Sequence, residues 1–181
     1  MSIVIVDNGK GADKLQQLIP DSKVIPAKDY KKAMKEKADA FILTDGTPSK
    51  IMQDCVVDIL ETTKVPVLAI GASYLFLGSL IGADVVKTKP IKGKLEIKVK
   101  HGCPMTTDMK KISVTYDIAF KLENIPEEIM TIAPSEGGEI IQDIELPLIG
   151  VSFLPEDSDD GPKMIKNFLS FVEIYDQYHK N

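Results

Sequence analysis

The sequence predicts a three-layer α/β domain around a mostly parallel sheet, with an antiparallel meander on one edge. Three observations carry this. Short β-branched runs recur along the first half of the chain and alternate with stretches of helical period, the pattern of parallel strands joined by crossover helices. The stretch from Val65 to Val85 reads as a buried apolar strand, a sharp corner at Gly71, and a helix over Ala72–Leu80 that Gly82 ends. After Gly82 the pattern changes to short alternating segments with lysine at several outward positions, as in a hairpin-like meander. No repeat, low-complexity segment or linker interrupts the chain, so residues 1–181 read as one domain.

Taken in order, Ile3–Val6 is a β-branched strand, and Asp7-Asn8-Gly9 turns out of it. Gly11–Leu18 is a brief helix, with Asp7 or Asn8 expected to cap it. Gly9-Lys10-Gly11 has neither the P-loop nor the dinucleotide spacing, so it reads as a turn. Val24 and Ile25 form a second strand that ends at Pro26, and Asp29–Lys37 a lysine-rich helix with a solvated face. Ala40–Leu43 is the third strand. In the loop Thr44–Ser49 that follows, Pro48 stands near the first helical position and Ser49 is a candidate cap. Ile51–Thr62 carries Met52, Val56, Ile59 and Leu60 near one helical face; Cys55 within it reads as a buried structural thiol.

Beyond the Gly71 corner, Val85-Val86, Leu95–Val99 and Ile112–Tyr116 form the meander. His101 and Cys103 offer two ligands, short of a metal site, so that stretch reads as a plain loop. Glu139–Asp143 and Pro147–Phe153 are two more strands. The acidic run Glu156–Asp160 lacks the spacing of a calcium loop and reads as charge complementing the next helix dipole. Pro162 starts that helix, with Met164, Ile165, Phe168, Phe171 and Val172 as its core stripe.

Composition excludes several function classes. With 181 residues, 44 % of them apolar, the chain has enough material for one proper core. No apolar run approaches the ~20 residues of a membrane helix. The N-terminal MSIVIVDNG lacks the basic flank and apolar core of a signal peptide. Two distant cysteines suit a reducing cytoplasm. All 22 basic residues are lysine and the net charge is −5, which argues against a nucleic-acid partner. No motif asks for a cofactor or a metal.

Strand, tight corner and helix is the geometry of a nucleophile elbow, which holds a reactive side chain over a helix N-terminus. Here the corner carries Gly71. On these residues the chain resembles class I glutamine amidotransferase domains, which carry a strand, G-x-C-x-G-x-Q and a helix ending in small residues. Within that family it is most similar to the separate glutaminase subunit of archaeal-type GMP synthase. The likeness takes in IVIVDNG, FILTDGTPS, LPLIGVSFLPE and the closing helix, nearly the whole chain. It implies a flavodoxin-like fold and a pocket at Gly46, Thr47, Gly71, Ala72, Ser73, Tyr74, Asp117, Leu154 and Glu156.

The same alignment implies that this pocket is vestigial, with no catalytic residue in it. Gly71 stands where the family has its nucleophilic cysteine, Ser73 where it has a glycine, and Leu75 where it has a glutamine. Thr44–Ser49 replaces the family's S-G-G-P-S oxyanion loop, and Asp45 brings the wrong charge for an oxyanion. The family's F-H-P-E supplies the general base and its orienting glutamate; here Glu156 persists, and Leu154 cannot accept a proton. Tyr116–Glu136 matches in length the family's segment W-x-S-H-x-D, whose backbone holds glutamine, with Asp117 and Ile118 at the positions of its serine and histidine. Ser73, past the corner, is expected to cap free helix amides. The expected function is a glutaminase-like fold without that activity, binding or regulating a protein partner such as a synthetase-type subunit or a second copy. The alternatives are altered chemistry in the same pocket, with Ser73, Tyr74 and Glu156 as its polar groups, or a purely structural subunit.

Overall fold

Alternation within each apolar run decides the layers. The computed structural model describes residues 1–133, 140–143 and 145–179. In chain order the first elements are β1 (Ile3–Asp7), β2 (Gly9–Lys10), α1 (Ala12–Leu18), β3 (Lys23–Pro26) and α2 (Tyr30–Ala33). Then come β4 (Ala40–Leu43), β5 (Asp45–Gly46), α3 (Lys50–Thr62), β6 (Val67–Ile70) and α4 (Ala72–Leu80). The last are β7 (Asp84–Lys98), β8 (Lys111–Glu123), β9 (Ile129–Thr131), β10 (Ile140–Asp143), β11 (Leu148–Val151) and α5 (Gly161–His179). Seven strands form one sheet in the order β3-β1-β4-β6-β11-β10-β9. The first five are parallel; β10 and β9 add an antiparallel edge.

Ile3, Ile5, Ile42, Leu68 and Ile70 face one side of this sheet and are covered by Leu15 of α1 and by Met164, Ile165, Phe168 and Val172 of α5. Val4, Val6, Phe41, Leu43, Val67 and Ala69 face the other side, under Met52, Val56 and Ile59 of α3 and Tyr74 and Leu77 of α4. Side chains alternate with period two, so a strand buried on both faces must be apolar at every position. That is why these runs are unbroken in sequence. Each large side chain so buried contributes about 1.5–3 kcal/mol. The result is the expected three-layer, flavodoxin-like α/β fold. Among the described residues no helix is long and apolar enough to cross a membrane.

Several local expectations differ. The three meander segments are one long hairpin, β7 on β8, paired from Asp84↔Glu123 to Lys98↔Lys111. Pro90 and Gly93 look like strand breaks, yet the pairing runs past both: it slips between Lys87 and Ile91, leaving Thr88, Lys89 and Pro90 opposite Ala119. The hairpin is a separate two-stranded sheet, so the antiparallel sheet edge comes from β10 and β9 instead. The helix expected over Asp29–Lys37 is a 3-10 turn at Ala27–Asp29 and the short α2, because only Ala33 of α2 finds a buried place. Neither Asp7 nor Asn8 caps α1; Gly11, at φ 90°, stands at its N-cap with no side-chain cap, and Asp7 Oδ1 accepts the Gly9 N–H at 2.8 Å. Ser49 does cap α3, accepting the Met52 N–H at 3.2 Å. The acidic run does more than complement a dipole. Asp160 Oδ2 accepts the Ser113 N–H at 2.6 Å and Ser158 Oγ the Thr115 N–H at 2.9 Å, which satisfies the outer edge of β8. Glu139, and residues 134–136 of the stretch matched to the family's glutamine-holding segment, lie outside the described residues.

The hairpin seats on α4 where Gly78 meets Leu122: a Cβ on Gly78 would come 2.9 Å from Leu122 Cγ. Gly78→Val is therefore expected to lower stability by about 1–3 kcal/mol, because overpacking outweighs the helix-propensity gain of under ~1 kcal/mol. Urea unfolding monitored by circular dichroism reads this directly.

Candidate functional site

The carboxyl ends of the parallel strands open into a cleft of about 450 Å³. This is where open α/β sheets place their sites. Because β1 neighbours β4, the loops that leave them meet: Gly9 pairs with Gly46 and Lys10 with Asp45, as β2 and β5. Gly46 must lack a side chain there, since its Cβ would lie 2.7 Å from the Asn8 carbonyl carbon. Gly71, Ala72, Tyr74 and Leu75 supply the base of the cleft, Thr47 and Pro48 one rim, and Asp117–Phe120 of β8 the opposite wall.

Gly71 joins β6 to α4 with φ 59° and ψ −116°. That backbone is open to glycine and costs other residues about 1–3 kcal/mol. The corner is fixed at both ends: the Gly71 N–H donates to Val151 O at 2.9 Å and its carbonyl accepts the Leu75 N–H at 3.2 Å. It has the geometry of an elbow with no reactive group on it.

Asp45 fills the space such a group would use. A Cβ on residue 71 would lie 2.5 Å from Asp45 Cγ and 2.8 Å from Asp45 Cβ. Asp45 Oδ1 also accepts the Ala72 N–H at 2.8 Å. The amide after an elbow residue is the donor such sites offer to an oxyanion, and here a resident carboxylate holds it at the positive end of α4. Lys10 Nζ sits 3.2 Å from Asp45 Oδ2 and 2.8 Å from Asp117 Oδ2, and Lys92 Nζ 3.0 Å from Asp117 Oδ1. The Asp117 hydrogen bond holds the Lys10 ammonium above the usual lysine range, and Lys10 with Lys92 holds the Asp117 carboxyl below its own.

Ser73 does not cap the helix. Its side chain is fully buried, its hydroxyl donates to Thr44 O at 2.7 Å, and Asn8 Nδ2 donates to its Oγ at 3.2 Å. It ties the β1, β4 and α4 loops together behind the cleft. Leu154 and Glu156 leave the same sheet edge as Gly71, but Ser152 is the residue of their loop that lines the cleft. Leu154 is 3 % exposed and bridges Thr115 of β8. Glu156 lies beneath Gly11, its Cδ 2.9 Å from where a Gly11 Cβ would stand. Of the sequence-named pocket, the structure thus gathers Gly46, Thr47, Gly71, Ala72, Tyr74 and Asp117 around the cleft, and sets Ser73, Leu154 and Glu156 behind it.

Neither histidine lines the cleft, and burial pushes the Cys55 thiol up to about 12, far from a thiolate. Sequence reasoning missed Asn8 and Lys10 as site residues. Their signal was the strand order: any turn after β1 must face the turn after its neighbour β4.

No protein-family model and no curated protein matches this sequence. Among solved structures, a protein assigned as one subunit of GMP synthase, from Thermoplasma acidophilum, superposes with a TM-score of 0.90 at 22 % identity, covering 100 % of this chain and 98 % of that one. A glutamine amidotransferase from Thermotoga maritima superposes with a TM-score of 0.66 at 13 % identity, covering 99 % of this chain and 85 % of that one. The likeness is one of fold: the chain has a class I glutamine amidotransferase-like fold.

Glu156 yields a test of the buried region. Neither carboxyl oxygen meets a donor from another of the described residues. Burial first, then the charges of Asp157 and Asp45, push the carboxyl up to about 7. A raised acid favours its protonated form in the folded state. The folded chain is therefore unpenalised below the ordinary value of 4.5 and loses stability as pH rises through about 7. Glu156→Gln should match wild type near pH 4.5 and exceed it at pH 8 by up to about 3 kcal/mol, read from paired urea titrations.

Proposed function

We propose that this chain is a glutamine amidotransferase-like protein that lacks glutaminase activity and works as a binding or regulatory subunit on a protein partner. One observation carries the reading: the Asp45 carboxylate occupies the position over the Gly71 corner and takes the Ala72 amide. Thiol-dependent hydrolysis of glutamine needs a thiolate, a proton carrier and oxyanion donors at one spot. Here a carboxylate holds the third, glycine replaces the first, and the candidate position for the second is the buried Leu154. The Thermoplasma protein is named as one subunit of a synthase, which supports a partner for this chain as well.

Ammonia release from glutamine is the test. The purified chain should show none above background, alone or with an added synthetase subunit, because losing the nucleophile alone costs about 10⁶-fold in an enzyme that works as a unit. Gly71→Cys should also be inactive and less stable by at least ~1–3 kcal/mol, since it combines the strained backbone with overlap onto Asp45. Gly71→Cys with Leu154→His should recover little for the same reason. Turnover by the unmodified chain would overturn the reading.

A further inference from the structure

The charge of this chain is divided unevenly. Residues 84–123 hold nine of the 22 lysines and five of the 27 acidic residues, so a chain of net charge −5 carries a region of net +4. Most of those lysines ride on β7 or beside it. Lys92 and Lys94 are paired with Asp117 and Asp159, whereas Lys87, Lys89 and Lys98 have no acidic partner among the described residues. β7 is exposed along nearly its whole length, and among the described strands it pairs only with β8. Its other edge thus faces no other described strand, next to ammonium groups that have no acidic partner among the described residues. Val85 and Leu95, 42 % and 46 % exposed, add apolar contacts on the same strand.

An open strand edge is a template for strand addition, and the lysines, Pro90 and the slip at Lys87–Ile91 guard this one against an indiscriminate partner while leaving it open to one of opposite charge. A second copy of β7 would set lysine against lysine, which is destabilising across strands. A nucleic-acid strand makes no use of the open backbone edge, and the chain has no arginine to fork onto phosphate. An extended segment rich in aspartate and glutamate satisfies the backbone groups and the lysines together.

Resting on the reading that the chain acts on a partner, we propose that β7 docks an extended acidic segment of that partner protein by strand addition. The kinked stretch Lys87–Ile91, opposite the Ile118–Phe120 wall of the cleft, sets this docking edge beside the cleft.

The test uses the full chain. The protein that co-purifies with it from source-cell extract is identified and purified, and its affinity is measured for wild type, for Lys87→Glu with Lys89→Glu, and for Lys163→Glu on α5 as a control. Capture alone decides nothing. Both reversed lysines are exposed and have no acidic partner among the described residues, so the double variant should keep the wild-type melting temperature. It should bind at least about tenfold more weakly, with the control unchanged. Wild-type binding should fall with salt, and hydrogen exchange should show new protection over residues 85–98 in the complex. Equal binding by the double variant, protection elsewhere, or nuclease-sensitive capture overturns the docking edge and leaves the glutaminase reading untouched. Absence of any binding partner removes the docking edge and the partner role together, whereas the ammonia assay judges the lost activity separately.

Discussion

A hydrogen bond of 2.8 Å from the Ala72 amide to Asp45 Oδ1 sits at the centre of this molecule. It does three things at once. It satisfies a free amide at the start of α4 and sets a negative charge against the positive end of that helix. Because Asp45 is 8 % exposed, it also gives a nearly buried carboxylate one of the partners it needs. Bonds to a charged acceptor contribute about 1.5–3 kcal/mol each. Lys10 supplies the countercharge and passes it on to Asp117, so the chain of interactions leads from the helix terminus to the hairpin.

The same contact explains why residue 71 is a glycine twice over. The positive φ excludes most side chains on conformational grounds, and the Asp45 carboxylate excludes them on volume. A thiol at the corner and a carboxylate at position 45 are alternatives that cannot share the space. At this corner the elbow shape therefore carries an internal carboxylate ligand in place of a side chain on residue 71.

Much of this was legible in the sequence. The doubly buried strands announced themselves because burial on both faces forbids polar residues in them, and the corner because an apolar β-branched run gives way at Gly71 to a stretch of helical character. The Ser49 cap followed from local chemistry. What was hidden is what depends on distant contacts. The run of β7 past Pro90 and Gly93 is set by its partner β8, and α2 is short because few of its residues reach the core. Asp45 could be named as the wrong charge for an oxyanion site, but not as the group that takes the Ala72 amide. Ser73 looked like a helix cap, and its actual acceptor, Thr44 O, lies on another strand's loop.

The hydrogen bonds of Ser73 have a mechanical consequence. Through Thr44 and Asn8 they join the ends of β1 and β4 to the first turn of α4, and Val151 holds the Gly71 corner from the other side. Three walls of the cleft are thus cast as one piece and cannot part without breaking buried hydrogen bonds. The fourth wall belongs to the hairpin, and the Lys10–Asp117 pair, about 42 % and 39 % exposed, links it to those loops across the cleft. Exposed pairs contribute about 0–1 kcal/mol. The cleft is a cup with three walls joined by hydrogen bonds, and its fourth wall, though anchored elsewhere through Leu122 on Gly78 and Thr115 on Leu154, is bordered at the mouth by that exposed ion pair.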